Sequence, residues 1–282
     1  VSAAEDLSDV KFEYQFKDRD FNKLKEIVYA RTGITLGEEK RQLVYSRFAK
    51  RIRKLNLQNF SQYIEYFEKN EESEVTDFIN AITTNFTSFF REPHHFEFLK
   101  NFIAEREMAS RYCRIWSAGC SSGEEPYSIA MTVLDSIANP DAWDIKILCT
   151  DIDTSVLRKA EQGVYDAARV DGVDERLRSR FFLRGKGARE GLVKIRDDVR
   201  TNMVFRQLNL LDEFPFKKGF DLIFFRNVII YFDKDTQRKI FSKIAKLQQP
   251  DDVLIIGHSE NLAGVTDKYA LIGRTIYQRL DN

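Results

Sequence analysis

From about residue 18 to residue 84, apolar residues recur at spacings of three and four, with no proline and only Gly33 and Gly37 as glycines. That period belongs to amphipathic helices. It predicts helices over roughly 18–32, 38–56, 60–69 and 72–84, divided by the turn at Gly33, an Asn-containing link and the acidic start EESE. Past residue 110 the texture changes to short apolar runs, CRIWSA, IKILCT, FDLIFF and DVLIIG, set between helix-like stretches. Such alternation predicts an α/β domain with a mainly parallel sheet. Between about 178 and 208, two short β-prone runs surround a Gly-rich turn, which predicts a small antiparallel β-subdomain inserted into the α/β unit. GRTIYQRL near residue 280 predicts a final strand. The expected division is a helical domain with its linker over 1–90 and the α/β domain over 91–282.

Composition supports a folded chain with more than one modest core: 282 residues, 43% of them hydrophobic. Forty-four basic residues meet 44 acidic ones, so there is no global field of the kind a general nucleic-acid or anionic-membrane binder carries. No run approaches the roughly 18 uncharged apolar residues of a membrane span, and the acidic start VSAAEDLSDV is unlike a signal peptide. A soluble, unexported protein without membrane insertion or nucleic-acid partner is expected. Cys113, Cys120 and Cys149 lack C-x-x-C spacing, and of the three histidines two are adjacent, so neither a disulfide framework nor a metal centre is expected.

The richest segment is RIWSAGCSSGEEPYSIAM, residues 114–131, where an apolar strand ending at Ala118 runs into a Gly119-to-Gly123 loop and a helix opening on Glu124, Glu125 and Pro126. Glycines such as Gly119 let backbone turn tightly and approach a ligand, and the acids and proline suit a first helical turn. The loop reads G-x-x-x-G, not G-x-G-x-x-G, and carboxylates stand where a pyrophosphate would need bare amides. A cationic, phosphate-free ligand fits better, and S-adenosylmethionine is one; an ordinary strand-turn-helix is the plain alternative. In IKILCTDIDTSVL, Asp151 and Asp153 follow a buried strand, the place from which an acid accepts ribose hydroxyls. Asp151 is nearer the strand, while Asp153 can cap a helix starting near Thr154. Arg226, Asn227 and Tyr231 follow the strand FDLIFF, and Asn209 follows another β run, all at the rim where α/β ligands bind.

TTNFTSFFREPHHF, WSAGCSSGEEPYSIAM, TDIDTSVL, the Gly-rich hairpin, RNVIIYF and GHSENL occur in this order. Over nearly its whole length the chain resembles the chemotaxis receptor methyltransferases, the CheR-type protein-glutamate O-methyltransferases. The resemblance implies an N-terminal helical substrate-recognition domain and a Rossmann-like S-adenosylmethionine domain with a β-subdomain insert. It implies cofactor contacts from Asn85, Thr87, Arg91, Glu125, Asp151, Asn209, Leu210, Arg226 and Asn227, and it places Arg91 and Tyr231 near the transferring methyl. S-adenosyl-L-homocysteine would be the product. The implied reaction esterifies glutamates in the cytoplasmic region of membrane chemoreceptors, in a cytoplasmic, monomeric bacterial enzyme recruited to chemoreceptor arrays. His94 and His95 open a helix with Phe96 and Leu99, and no base is needed for a carboxylate nucleophile. His258 is read as structural.

KRQLVYSRFAKRIRK, residues 40–54, holds seven cations and no acid. On a helix Lys40, Arg47, Lys50, Arg51 and Lys54 form one stripe and Val44, Phe48, Ile52 and Leu55 an apolar one. Charge runs are usually solvated faces; the resemblance makes this one a candidate receptor-facing surface. In the hairpin, Arg184, Gly185, Gly191 and Lys194 are candidates for tethering a receptor's C-terminal pentapeptide by strand addition, the alternative being a merely structural hairpin. Two other functions compete: an S-adenosylmethionine enzyme with another substrate, and a non-catalytic receptor-binding adaptor, which would not need Asn85, Arg91 and Tyr231 intact.

Overall fold

The computed structural model describes residues 13–281. The chain divides between Thr83 and Thr84 into two compact units.

The first unit contains α1 (Asp18–Thr32), α2 (Arg41–Lys54), α3 (Phe60–Lys69) and α4 (Glu71–Ile82). Gly33 ends α1 in the left-handed conformation at φ 72°, its N–H donating to the Tyr29 carbonyl. Asn59 caps α3 by accepting from the Gln62 N–H. A 3₁₀ turn at Glu38–Lys40 precedes α2, so the α-helix starts later than the apolar period suggests. Val44, Phe48 and Ile52 are fully buried. Four residues apart, they form one face of α2, where the Phe48 ring packs tilted against Tyr63 of α3 and Phe78 of α4, with centroids 5.5 and 4.8 Å away.

The second unit opens with α5 (His94–Ala109) and β1 (Tyr112–Ala118), followed by α6 (Glu124–Ser136), β2 (Asp144–Asp151) and α7 (Thr154–Gln162). Then come β3 (Val164–Asp166), α8 (Glu175–Phe181), β4 (Phe182–Arg184), β5 (Leu192–Ile195), α9 (Asp197–Arg200) and β6 (Met203–Gln207). β7 (Leu222–Phe225), α10 (Lys234–Ala245), β8 (Val253–Ile256), β9 (Tyr269–Gly273) and β10 (Ile276–Arg279) complete it. Seven strands form one sheet in the order β6-β2-β1-β7-β8-β10-β9. The first five lie parallel, and β10 enters antiparallel between β8 and β9. β7 and β8 are buried at every position, as strands covered on both faces must be. Their side chains alternate between two cores. Leu222, Phe224, Val253 and Ile255 join α5 and α6 on one face, while Ile223, Phe225, Leu254 and Ile256 join α10 on the other. Cys113, Cys120 and Cys149 are buried free thiols, their pKa values raised by burial.

The inserted subdomain contains the expected hairpin, β4 and β5 paired antiparallel around the Gly-rich turn, but it begins and ends earlier than 178–208. Its sheet is β3-β5-β4, drawn from residues 164–195. Met203–Gln207, at the end of the expected range, lies outside the subdomain and pairs parallel with β2, from Ile147 opposite Met203 to Asp151 opposite Gln207. A short β-prone run carries no mark of which sheet will take it, and a vacant edge beside β2 takes this one.

Candidate active site

The strand order reverses beside β1: the chain goes out to β2 and β6 on one side, then returns to β7 on the other. Ligands of open α/β sheets bind at such a switch point, outside the carboxyl ends of the strands. The predicted cofactor residues from β1, β2 and β7 gather there.

β1 ends at Ala118, and Gly119 turns the chain at φ 80°; its N–H and that of Cys120 both donate to the Thr150 carbonyl at 2.8 Å. A Cβ on Gly119 would stand 2.5 Å from Val228 Cγ2, so the loop closes on the β7 loop only with glycine there. α6 then presents its two acids differently. Glu124, fully buried, is held by Arg169 and by the Ser122 hydroxyl at 2.7 Å. Glu125 crosses the switch point: its Oε1 accepts from Ser117 Oγ at 2.7 Å and its Oε2 from Arg226 Nη1 at 2.9 Å. Burial raises the Glu125 pKa, against the opposing pull of Arg226 and Ser117. The acid expected to answer a cationic ligand alone is therefore half of an ion pair.

Asp151 ends β2, buried, with Oδ2 accepting from Ser121 N–H at 2.8 Å and Oδ1 from Asp153 N–H at 2.9 Å. Each carboxylate oxygen keeps acceptor capacity. Burial pushes the Asp151 pKa up to about 6. Asp153 is the cap of α7, accepting from the N–H groups of Ser155 and Val156, and it also accepts from Asn85 Nδ2 at 2.8 Å. The two aspartates thus divide as their spacing suggested, and Asn85 ties its segment to the end of β2. Thr87 is buried in that segment.

Arg226 is the hub of the site. It is 4% exposed and reaches Glu125, the Arg91 carbonyl and, at 3.4 Å, Glu92 Oε2; its Nε is buried without a partner. Arg91 itself donates to the Phe86 carbonyl at 3.1 Å and lies over the Phe86 ring. Tyr231, half-buried on a 3₁₀ turn, has its pKa raised by burial, with the Arg91 charge opposing. It is a neutral hydrogen-bond donor near neutral pH. Asn227 holds a left-handed φ of 59°, which for a non-glycine residue needs outside support. Glu260 supplies it, accepting from the N–H groups of Asn227, Ile229 and Gly257 at 2.9, 2.9 and 2.6 Å. Asn209 accepts from the Leu211 N–H at 3.1 Å, and Leu210 is buried with its carbonyl accepting from Lys243 at 2.7 Å.

Glu92, Ser117 and Glu260 were not among the residues singled out from the sequence. Each stands inside a recognised motif, but its partners lie up to 166 residues away, as for Glu92 and His258. His95 is no base: burial, with Arg226 and His94, lowers its pKa to about 3.

The candidate docking residues separate. Arg51 is 10% exposed at its side chain and paired with Glu74 and with Asp77, the latter at 2.6 Å. Its charge is used to join α2 to α4, so the stripe rests on Lys40, Arg47, Lys50 and Lys54, of which all but Arg47 are exposed. In the subdomain a groove of about 570 Å³ is lined by Arg184, Gly185, Gly191, Phe182, Glu190 and Arg178, among others. Lys194 is not part of it: it sits on the central strand β5, 3.1 Å from Asp197.

Known proteins share this organisation. Residues 19–83 match the all-alpha domain of CheR methyltransferases and residues 85–278 their SAM binding domain. The chain is 41% identical over 266 residues to chemotaxis protein methyltransferase 2 of Pseudomonas aeruginosa, covering 94% of each. It is 42% identical over 263 residues to the chemotaxis protein methyltransferase of Escherichia coli, covering 92% of this chain and 90% of that one. With both domains matched in order and the switch-point residues assembled as a ligand site, the chain belongs to the CheR methyltransferase family.

Proposed function

We propose that this chain transfers the methyl group of S-adenosylmethionine to glutamate side chains of chemoreceptors, forming methyl esters in the cytoplasm. The observation that carries the site assignment is the Glu125–Arg226 pair across the switch point, 2.9 Å apart. A methionyl group brings an ammonium and a carboxylate, and a paired acid and base answers both. The donor set fits the cofactor further along: Asp151 offers a carboxylate for ribose hydroxyls, and Arg226 has a buried Nε still to be satisfied. Asn85, Thr87, Asn209, Leu210 and Asn227 complete the proposed lining. When bound, the cofactor supplies an electrophilic methyl on a positively charged sulfur.

The remaining work of the protein is alignment. A glutamate with an ordinary pKa of about 4.3 is already an anion at pH 7, so no residue need remove a proton, and the transfer needs no metal. Carboxylate and sulfonium collapse toward ester and thioether, so charge falls along the path. A dry, fixed site favours that step over separated, hydrated ions. Holding the reacting atoms in line is worth on the order of 7–11 kcal/mol in the best intramolecular cases. Arg91, tied back to Phe86, and Tyr231, a neutral donor, orient the substrate carboxylate. A tight bidentate arginine would quench the nucleophile, and the restraint of Arg91 by its own segment works against that.

The helical unit recognises the substrate through Lys40, Arg47, Lys50 and Lys54, a cationic stripe suited to glutamate-rich receptor helices. Arg184, Gly185 and Gly191 offer the subdomain groove to an extended receptor C-terminus. The test is transfer of labelled methyl to receptor cytoplasmic fragments, with and without their last five residues. Base-labile label on glutamate is expected, faster with the pentapeptide present; no transfer to any receptor of the same cell would sink the assignment.

A further inference from the structure

All three histidines of the chain lie around Glu92. His258 Nδ1 is 2.9 Å from Glu92 Oε1, and His95 Nδ1 is 3.5 Å from Glu92 Oε2. The His94 and His95 rings are 4.0 Å apart, and one ligand atom from each of Glu92, His94 and His95 lies within 4.8 Å of the other two. His95 is fully buried. Its Nε2 meets Thr275 Oγ1 at 3.0 Å and the Arg274 carbonyl at 3.3 Å, while the Thr275 hydroxyl itself donates to that carbonyl at 2.8 Å. Both partners therefore accept, and Nε2 carries the proton. Nδ1 is left with a bare lone pair, buried, without a hydrogen-bond partner and facing a carboxylate oxygen; His94 Nε2 is buried and unpartnered as well.

A bare His95 nitrogen and an unpartnered His94 nitrogen beside a carboxylate oxygen are what a cation completes. We infer that Glu92, His94 and His95 form a binding site for a divalent transition-metal ion of the zinc class, whose occupation opposes methyl transfer. Imidazole nitrogen selects zinc, nickel or copper over magnesium or calcium. Three protein ligands with an open fourth position is a common zinc arrangement. The His95 Nε2–H on a backbone carbonyl is the outer bond that fixes a ligating imidazole. Ligands about 2.1 Å from a tetrahedral ion stand roughly 3.4 Å apart, so side-chain rotations must close the present spacing. Arg226, 3.4 Å from Glu92 Oε2, resists a second positive charge. The ion and Arg226 thus compete for one carboxylate, as do Asn227 Nδ2 at 3.4 Å from Glu92 Oε1 and His258, whose backbone N–H donates to Oε2 at 3.0 Å and whose Nδ1 lies 2.9 Å from Oε1. Drawing Glu92 away would loosen two residues of the proposed cofactor site, and by linkage bound cofactor or product should weaken the ion. This consequence rests on the functional reading above; the binding itself does not.

The experiment titrates Zn²⁺ alone into the untagged full chain against a chromophoric chelator, and Co²⁺ for its visible spectrum. One saturable site with a tetrahedral cobalt band is expected. His94→Ala and Glu92→Gln should each weaken it at least about tenfold, the scale reached when even an outer partner is lost, with melting curves in chelator confirming folded variants. Methyl transfer should be inhibited by Zn²⁺ in the wild type and resistant in His94→Ala, whose metal-free rate is unchanged. Binding that both variants leave intact overturns the site, and saturable binding without inhibition overturns the antagonism. A wild-type chain with no transfer in chelator counts against the functional reading, while the zinc titration still decides this one.

Discussion

Asp151 gives cofactor affinity a pH dependence whose size follows from its surroundings. Burial raises its pKa to about 6 in the unliganded protein, whereas ribose hydroxyls donate to the carboxylate form. Binding should therefore require ionised Asp151. At pH 7 about nine-tenths of the sites are ionised; at pH 5 about one in eleven is, a loss of roughly tenfold in affinity, or about 1.4 kcal/mol. Stability runs in the opposite sense. A carboxyl whose folded pKa lies above its unfolded value near 3.9 binds a proton more readily when folded. It favours folding below pH 4, and that contribution is lost as pH rises through 6, in all about 3 kcal/mol for this group. Calorimetric titration with S-adenosylhomocysteine, which cannot react, at pH 7, 6 and 5 measures the first effect. Asp151→Asn should bind weakly with a flat profile. A wild-type affinity that changes less than threefold, or a slope that survives in Asp151→Asn, would refute the assignment of Asp151 to the ribose.

Other consequences are as open to measurement. Arg51→Met should cost about 3–5 kcal/mol in urea unfolding, because it leaves the buried Glu74 carboxylate without its cation; Lys50→Glu should leave stability within about 0.5 kcal/mol while slowing receptor methylation. Arg226→Met should destabilise by a similar 3–5 kcal/mol and abolish cofactor binding, and Ser117→Ala, which removes one hydrogen bond to Glu125, should cost about 1.5–3 kcal/mol. A Cβ at residue 185 would stand 1.9 Å from the Arg189 carbonyl, so Gly185→Ala should erase the rate advantage of receptors bearing the C-terminal pentapeptide while preserving methylation of fragments that lack it.

How far the sequence could be read depended on the range of the interaction involved. Helices α1 and α3 start and stop where their periodicity and caps placed them, since Gly33 and Asn59 act within a turn of their own helix. Asp151 and Asp153 were separable for the same reason: one belongs to the strand end, the other to the next helix. Arg51 and Lys50 could not be told apart, because what distinguishes them is Glu74 and Asp77 on another helix. The hairpin of the insert was legible because its turn is local, whereas the end of the insert was set too late, since pairing of 203–207 with β2 is decided by an open edge some fifty residues back in the chain. Glu125 was found, but not its partner's hold on it, and the gathering of Glu92, His95 and His258 exists only once β8 and α5 are folded.

The three buried cysteines give the enzyme an internal clock. With thiols shielded and held protonated, a thiol reagent at neutral pH can react only when the sheet opens, so labelling rates measure opening directly, without any introduced probe. Cys120 lies in the loop after β1 and Cys149 near the end of β2, beside the proposed cofactor site, whereas Cys113 sits near the far end of β1. A ligand that steadies only its own end of the sheet should slow modification of the first two and leave the third to follow global unfolding, so that one mass spectrum separates local breathing from loss of the fold.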